Sequence, residues 1–216
     1  MTADFVLHAL LGLLPVCCFL AALVYLDSYK LVPLKWVIGT IVLGCATGVA
    51  SYPLNMIGLQ WFDVDFTVYT RYVAPLVEEA LKALVIWALM RENRIGFLVD
   101  AAILGFAVGA GFAIFENMYY LTILPDLKLG TWIVRGFGTA IMHGGASAIF
   151  AVIAHTMLEQ YPTKGWAAML PGLLIAAITH SVFNHFFFTP IINTALVLGI
   201  LPVSYTHLRA HETVLV

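Results

Sequence analysis

Glu78, Glu79 and Lys82 lie inside an apolar stretch that runs from Tyr72 to Met90. Ionisable groups in such a stretch need partners or a polar cavity, and by default they mark a functional site. On a helix, Lys82 shares a face with Glu78, four residues before it, and with Glu79, three before it. The two glutamates are about 100° apart around the axis. One can therefore pair with Lys82 while the other faces a cavity. For these three residues alone, the plainer reading is an ion pair that only orients helices.

The same anomaly recurs further along the chain. Glu116 and Asn117 fall in the next apolar segment, His143 in the one after, and His180 with Asn184 in the last. His180 and Asn184 are four apart and share a helical face. With one membrane boundary set at Arg71, Leu124, Arg135 and Phe188, Glu78, Glu79, Glu116, His143 and His180 each lie seven or eight residues in. At about 1.5 Å per residue, all five sit roughly 10–12 Å below that surface. Helix glue gives no reason for a common depth. Carboxylates and two histidines at one level suit Zn2+, which takes three N/O ligands in catalytic sites and leaves a position for water. Zinc lowers the pKa of that water to about 7, and a further glutamate can take the proton. A metal-free route is open as well: a glutamate activates water directly while histidine and asparagine stabilise the oxyanion.

Other polar residues read more simply. His155 lies 12 residues beyond His143, roughly 18 Å deeper, and His8 is near the end of the first segment. Both read as interfacial. His185 points away from the His180/Asn184 face. Asp63 and Asp65 fall in a loop, and Asp100 opens an apolar segment, where a carboxylate suits the positive helix end.

The elements that must position these groups are apolar segments at about 5–26, 34–57, 72–90, 97–124, 131–157 and 166–188. Each is near or above the roughly 20 residues that a membrane-crossing helix needs. Strand patterning is absent. The chain of 216 residues is 62% hydrophobic and 10% charged, well below the roughly 25% charged residues of a soluble domain. The expected fold is an all-α polytopic bundle of six full spans in the lipid bilayer. Residues 191–203 are apolar but too short to span, and they read as a truncated seventh helix. Residues 1–203 form one transmembrane domain in this reading, and the polar residues 204–216 a non-native tail.

Formal net charge is −2, with no basic run, so no nucleic-acid partner is expected. The three cysteines read as small apolar residues. Lys30, Lys35, Arg91, Arg94 and Lys164 fall on one side of the membrane, and Arg71, Lys128 and Arg135 on the other. The positive-inside rule then puts the N-terminus outside a cell membrane and the polar cluster nearer the outer face. Gly105 and Gly109 form a small-xxx-small pattern that lets helix backbones approach closely.

Taken together, Glu78-Glu79-x-x-Lys82, Phe112-x-x-x-Glu116-Asn117, the histidine at 143 and His180-x-x-x-Asn184 resemble the PrsW family of intramembrane proteases. The resemblance covers about residues 70–188. That family is related to the CAAX prenyl endopeptidases, which have a histidine where this chain has Glu116. The resemblance implies endopeptidase action on membrane-anchored protein substrates; bacterial relatives cut anti-sigma factors. In that reading Glu78 is a metal ligand or the general base. Glu79, paired with Lys82, is the positioning element, or the two glutamates exchange roles. Glu116, His143 and His180 are candidate ligands, Asn117 is a supporting residue, and Asn184 is a candidate oxyanion donor. The rival readings are a proton- or cation-coupled transporter using the same Glu/His cluster, and a scaffold in a larger membrane complex.

Overall fold

The computed structural model describes residues 3–26, 32–123 and 129–185, and every regular element among them is helical. Six principal helices follow in order. They are α1 (Ala3–Leu26), α2 (Leu34–Phe62), α3 (Ala74–Arg91), α4 (Leu98–Ile123), α5 (Ala140–Gln160) and α6 (Leu170–Asn184). Long apolar runs choose the helix because, away from water, it satisfies backbone polar groups within one segment.

Local residues set the ends. Asp63 turns left-handed, with φ 47°, to stop α2. Asp65 then accepts the Thr67 backbone N–H at 2.7 Å, a bond that holds its carboxyl below the usual range. Pro75 lies in the first turn of α3, where a missing N–H does no harm. Asp100 accepts backbone N–H groups from Gly96 and Phe97, each at 3.0 Å, and so ties the loop to the start of α4.

Three helices have lead-in segments that apolar patterning does not reveal. A short turn, Phe66–Val68, runs through a π-helical stretch, Tyr69–Val73, into α3. Leu129–Val134 runs through a second π-helical stretch, Arg135–Thr139, into α5. A 3₁₀ segment, Pro162–Met169, broken at Gly165, leads into α6. Single π-helical turns are frequent at functional sites.

Among the described residues, four helical segments are long and apolar enough to cross a membrane: Leu34–Phe62, Leu98–Ile123, Arg135–Gln160 and Pro162–Asn184. The expectation of six full spans is therefore met only in part. The apolar run of α1 is shorter, at Val6–Ala22. Glu78, Glu79 and Lys82 lower the apolar character of α3. The expected seventh helix and the tail at 204–216 lie outside the described residues.

At the centre of the bundle is α4, buried without a break from Val99 to Ala113. It packs against α5, α2 and α1. The glycine pattern lets α5 approach. A Cβ on Gly105 would lie 2.7 Å from the Ala151 Cβ, and one on Gly109 would meet the His143 carbonyl oxygen. The backbone of α5 is thereby held close to α4 at the turn that carries His143. Apolar side chains also cover the outside. Val42, Leu84, Leu174 and Ile178 are each more than half exposed, as lipid-facing positions require.

Candidate active site

Four helices bring the polar residues to one place. On α3, Lys82 Nζ donates to Glu79 Oε1 at 2.6 Å, with both side chains almost wholly buried. The same oxygen lies 2.8 Å from His180 Nδ1 on α6. A carboxylate only accepts, so Nδ1 carries the hydrogen and Nε2 keeps its lone pair. That Nε2 lies 3.8 Å from Glu78 Oε2.

His143 on α5 sits between two partners. Its Nδ1 is 3.1 Å from Lys82 Nζ, and its Nε2 is 3.2 Å from Glu116 Oε2 on α4. Its ring stands edge-on to that of His180, with centroids 4.7 Å apart, and Phe112 packs on it at 4.8 Å. Lys82 Nζ also lies 4.6 Å from the centroid of Phe112.

The two glutamates of α3 thus differ by position. The Glu79 side chain is 2% exposed and committed to Lys82 and His180. That of Glu78 is 14% exposed and lines a cavity of about 450 Å³. Glu116 lines the same cavity. Much of the remaining wall is aromatic, including Tyr52, Phe66, Phe115, Tyr119 and Tyr120.

Three contributors carry no signal that stands out in the sequence. Arg135 counts there as a loop charge. It lies in the second π-helical stretch, with Nη2 3.2 Å from Glu116 Oε2. That contact is an ion pair without hydrogen-bond alignment; the aligned bond is Arg135 Nε to Asn117 Oδ1 at 3.1 Å. Asn117 in turn donates to the Gly12 carbonyl at 2.9 Å and so ties α4 to α1. The guanidinium lies 3.8 Å over the ring of Tyr120. The second contributor is Asn55 of α2, whose Nδ2 donates to Glu78 Oε1 at 3.0 Å. The third is Tyr69, whose hydroxyl donates to Asn55 Oδ1 at 3.2 Å. An amide inside the apolar 34–57 segment was the available hint for Asn55.

The remaining residues fall around this centre. Asn184 Nδ2 donates to the Thr70 carbonyl at 3.0 Å, and Thr70 lines the cavity. Ser181 beside it donates to the Arg71 carbonyl at 2.6 Å. His185 turns aside and packs edge-on to Tyr72 at 4.8 Å. His8 stacks on Trp132 at 5.6 Å, and His155 lies 3.6 Å from Glu159. None of these three is among the residues that converge on Glu78.

The donor set fits a divalent cation. Ligand atoms of Glu78, His143 and His180 lie within 4.8 Å of one another. Imidazole and carboxylate are the types a catalytic zinc takes. Glu79 behind His180 supplies the carboxylate partner that orients a ligating imidazole. With neutral histidines, Glu78, Glu79 and Glu116 against Lys82 and Arg135 give three negative charges to two positive, leaving one negative charge in the site.

Carboxylates and imidazoles meet beside a cavity between apolar helices, an arrangement that suits an intramembrane hydrolase. The family model described as PrsW family intramembrane metalloprotease matches residues 32–207, and the chain belongs to that family. It is a multi-pass membrane protein and a protease. No curated protein matches the chain, and no solved structure does.

Proposed function

We propose that this chain is an endopeptidase of the cell membrane that hydrolyses a peptide bond in a membrane-anchored protein, of the kind exemplified by anti-sigma-factor regulators. The observation that carries the reading is the convergence of Glu78, His143 and His180 within 4.8 Å, beside a cavity that Glu78 and Glu116 line.

Glu78, His143 and His180 would hold the metal, His143 through Nε2 after one proton leaves the Lys82–His143 pair, with zinc the best match to their donor types. When bound, such an ion polarises a carbonyl and acidifies a water molecule. The chain supplies the rest. Glu79 holds His180 in the tautomer whose Nε2 keeps its lone pair free for a metal, and Lys82 neutralises Glu79 in a low-dielectric setting. Glu116 takes the proton of the attacking water and returns it to the leaving amine, a role that needs a carboxylate at the cavity wall. Arg135 fixes that carboxylate in place. Asn184 carries a second amide hydrogen beside the one bonded to Thr70 and is the candidate donor to the developing oxyanion. The aromatic wall takes apolar side chains flanking the cut bond.

In the membrane, all six principal helices cross the bilayer in this reading. Glu78, Glu79 and Lys82 of α3 turn inward to their partners, which lets a helix with three charges in its interior lie among spans. The N-terminus is extracytoplasmic and the site nearer the outer face, following the loop charges.

Cleavage of a single-span reporter tests the reading. In proteoliposomes, the full chain should release a fluorescent fragment from such a reporter. A zinc chelator should stop release, and added zinc should restore it. Undiminished cleavage after chelation would contradict the role given to Glu78, His143 and His180 together.

A further inference from the structure

Asn55 reaches Glu78 from α2, outside every motif that carries the family resemblance. Its amide orientation is fixed by chemistry. The Glu78 carboxylate only accepts, so the nitrogen of Asn55 faces it, at 3.0 Å from Oε1. The amide oxygen then faces Tyr69, whose hydroxyl donates at 3.2 Å. Tyr69 is 2% exposed, and its hydroxyl fits because residue 58 is glycine; a Cβ there would meet that oxygen. Two residues from two elements, Tyr69 and Asn55, therefore build a relay that ends on one oxygen of Glu78.

The other oxygen, Oε2, is the one turned to His180 Nε2 at 3.8 Å. The terminal torsion of a glutamate is broad and barely selects a position by itself. We infer that Asn55, held by Tyr69, is a positioning residue that locks the Glu78 carboxylate so that Oε2 faces His180 and the cation site. This inference rests on the reading that Glu78, His143 and His180 hold a divalent cation. Groups that hydrogen-bond to ligating carboxylates typically change metal affinity 10–100-fold when removed.

The test is the Zn2+ affinity of the purified full chain in detergent, measured by competition with a chromophoric chelator. Asn55→Ala should weaken Zn2+ binding about 10–100-fold. Tyr69→Phe removes a single oxygen and should weaken it by less. The double variant should bind no more weakly than Asn55→Ala, because Tyr69 acts through Asn55; a packing role for either residue would give additive losses. If Asn55→Ala does not fold, Tyr69→Phe alone decides, since it keeps the ring. Wild-type affinity in the folded variants, or additive losses, would overturn the inference while leaving the metal reading intact. A wild-type chain that does not bind Zn2+, or a His180→Ala chain that binds it as tightly as wild type, would overturn the metal reading and the inference with it.

Discussion

Glu78→Gln should lower cleavage of the single-span reporter by about 10²-fold or more, and Glu116→Gln by about 10²–10⁴-fold. The reasons differ. Glu78 offers a charged oxygen toward His180, and its amide replacement is a poorer donor to a cation in the same space. Glu116 is the carboxylate across His143, and its amide has no basic oxygen to accept a proton from water. Both substitutions keep size; Glu78→Gln should leave folding intact, whereas Glu116→Gln leaves Arg135 without its carboxylate and should cost some stability, with the Asn117 bond and the Tyr120 ring still holding the guanidinium. Zn2+ binding separates the two: it should fall in Glu78→Gln and persist in Glu116→Gln. Full cleavage by the Glu78→Gln/Glu116→Gln double variant would exclude both cavity carboxylates from the chemistry.

Lys82→Met should destabilise the bundle by about 3–5 kcal/mol. Lys82 and Glu79 are both buried, and Lys82 Nζ lies 2.6 Å from the carboxylate. Removing the ammonium leaves Glu79 charged in low dielectric, with the His180 N–H as its remaining hydrogen-bond donor among the described contacts. The same change removes the donor facing His143 Nδ1. Glu79→Gln in the Lys82→Met background should recover part of the loss, because the orphaned charge is then gone. Chemical denaturation in detergent reads this directly. A Lys82→Met protein as stable as wild type would contradict the buried pair.

Much of this arrangement is legible in the sequence because apolar helices make ionisable residues conspicuous. Glu79, Lys82, Glu116, His143 and His180 each break an apolar run, and the structure brings all five together with Glu78. Gly105 and Gly109 announce the approach of α5 to α4 in the same way. What the sequence hides has physical causes. Asn55 is a single neutral amide, which a membrane helix tolerates without comment, and Tyr69 looks like any aromatic. Arg135 reads as a loop charge in the sequence because its π-helical stretch has no compositional signature; that turn carries it to Glu116. The count of spans is blurred by the site itself. The charges that make α3 conspicuous also keep it out of the set that is apolar by composition.

X-ray absorption at the zinc edge, on the purified zinc-loaded full chain, is the most direct test of the central claim. The predicted spectrum shows nitrogen and oxygen neighbours at about 2.0–2.2 Å, with the multiple scattering of two imidazoles. His143→Ala and His180→Ala should each lose one imidazole, and Glu78→Gln should keep both. A spectrum without imidazole scattering, or one unchanged by both histidine substitutions, would contradict the assignment of Glu78, His143 and His180 to a common metal site.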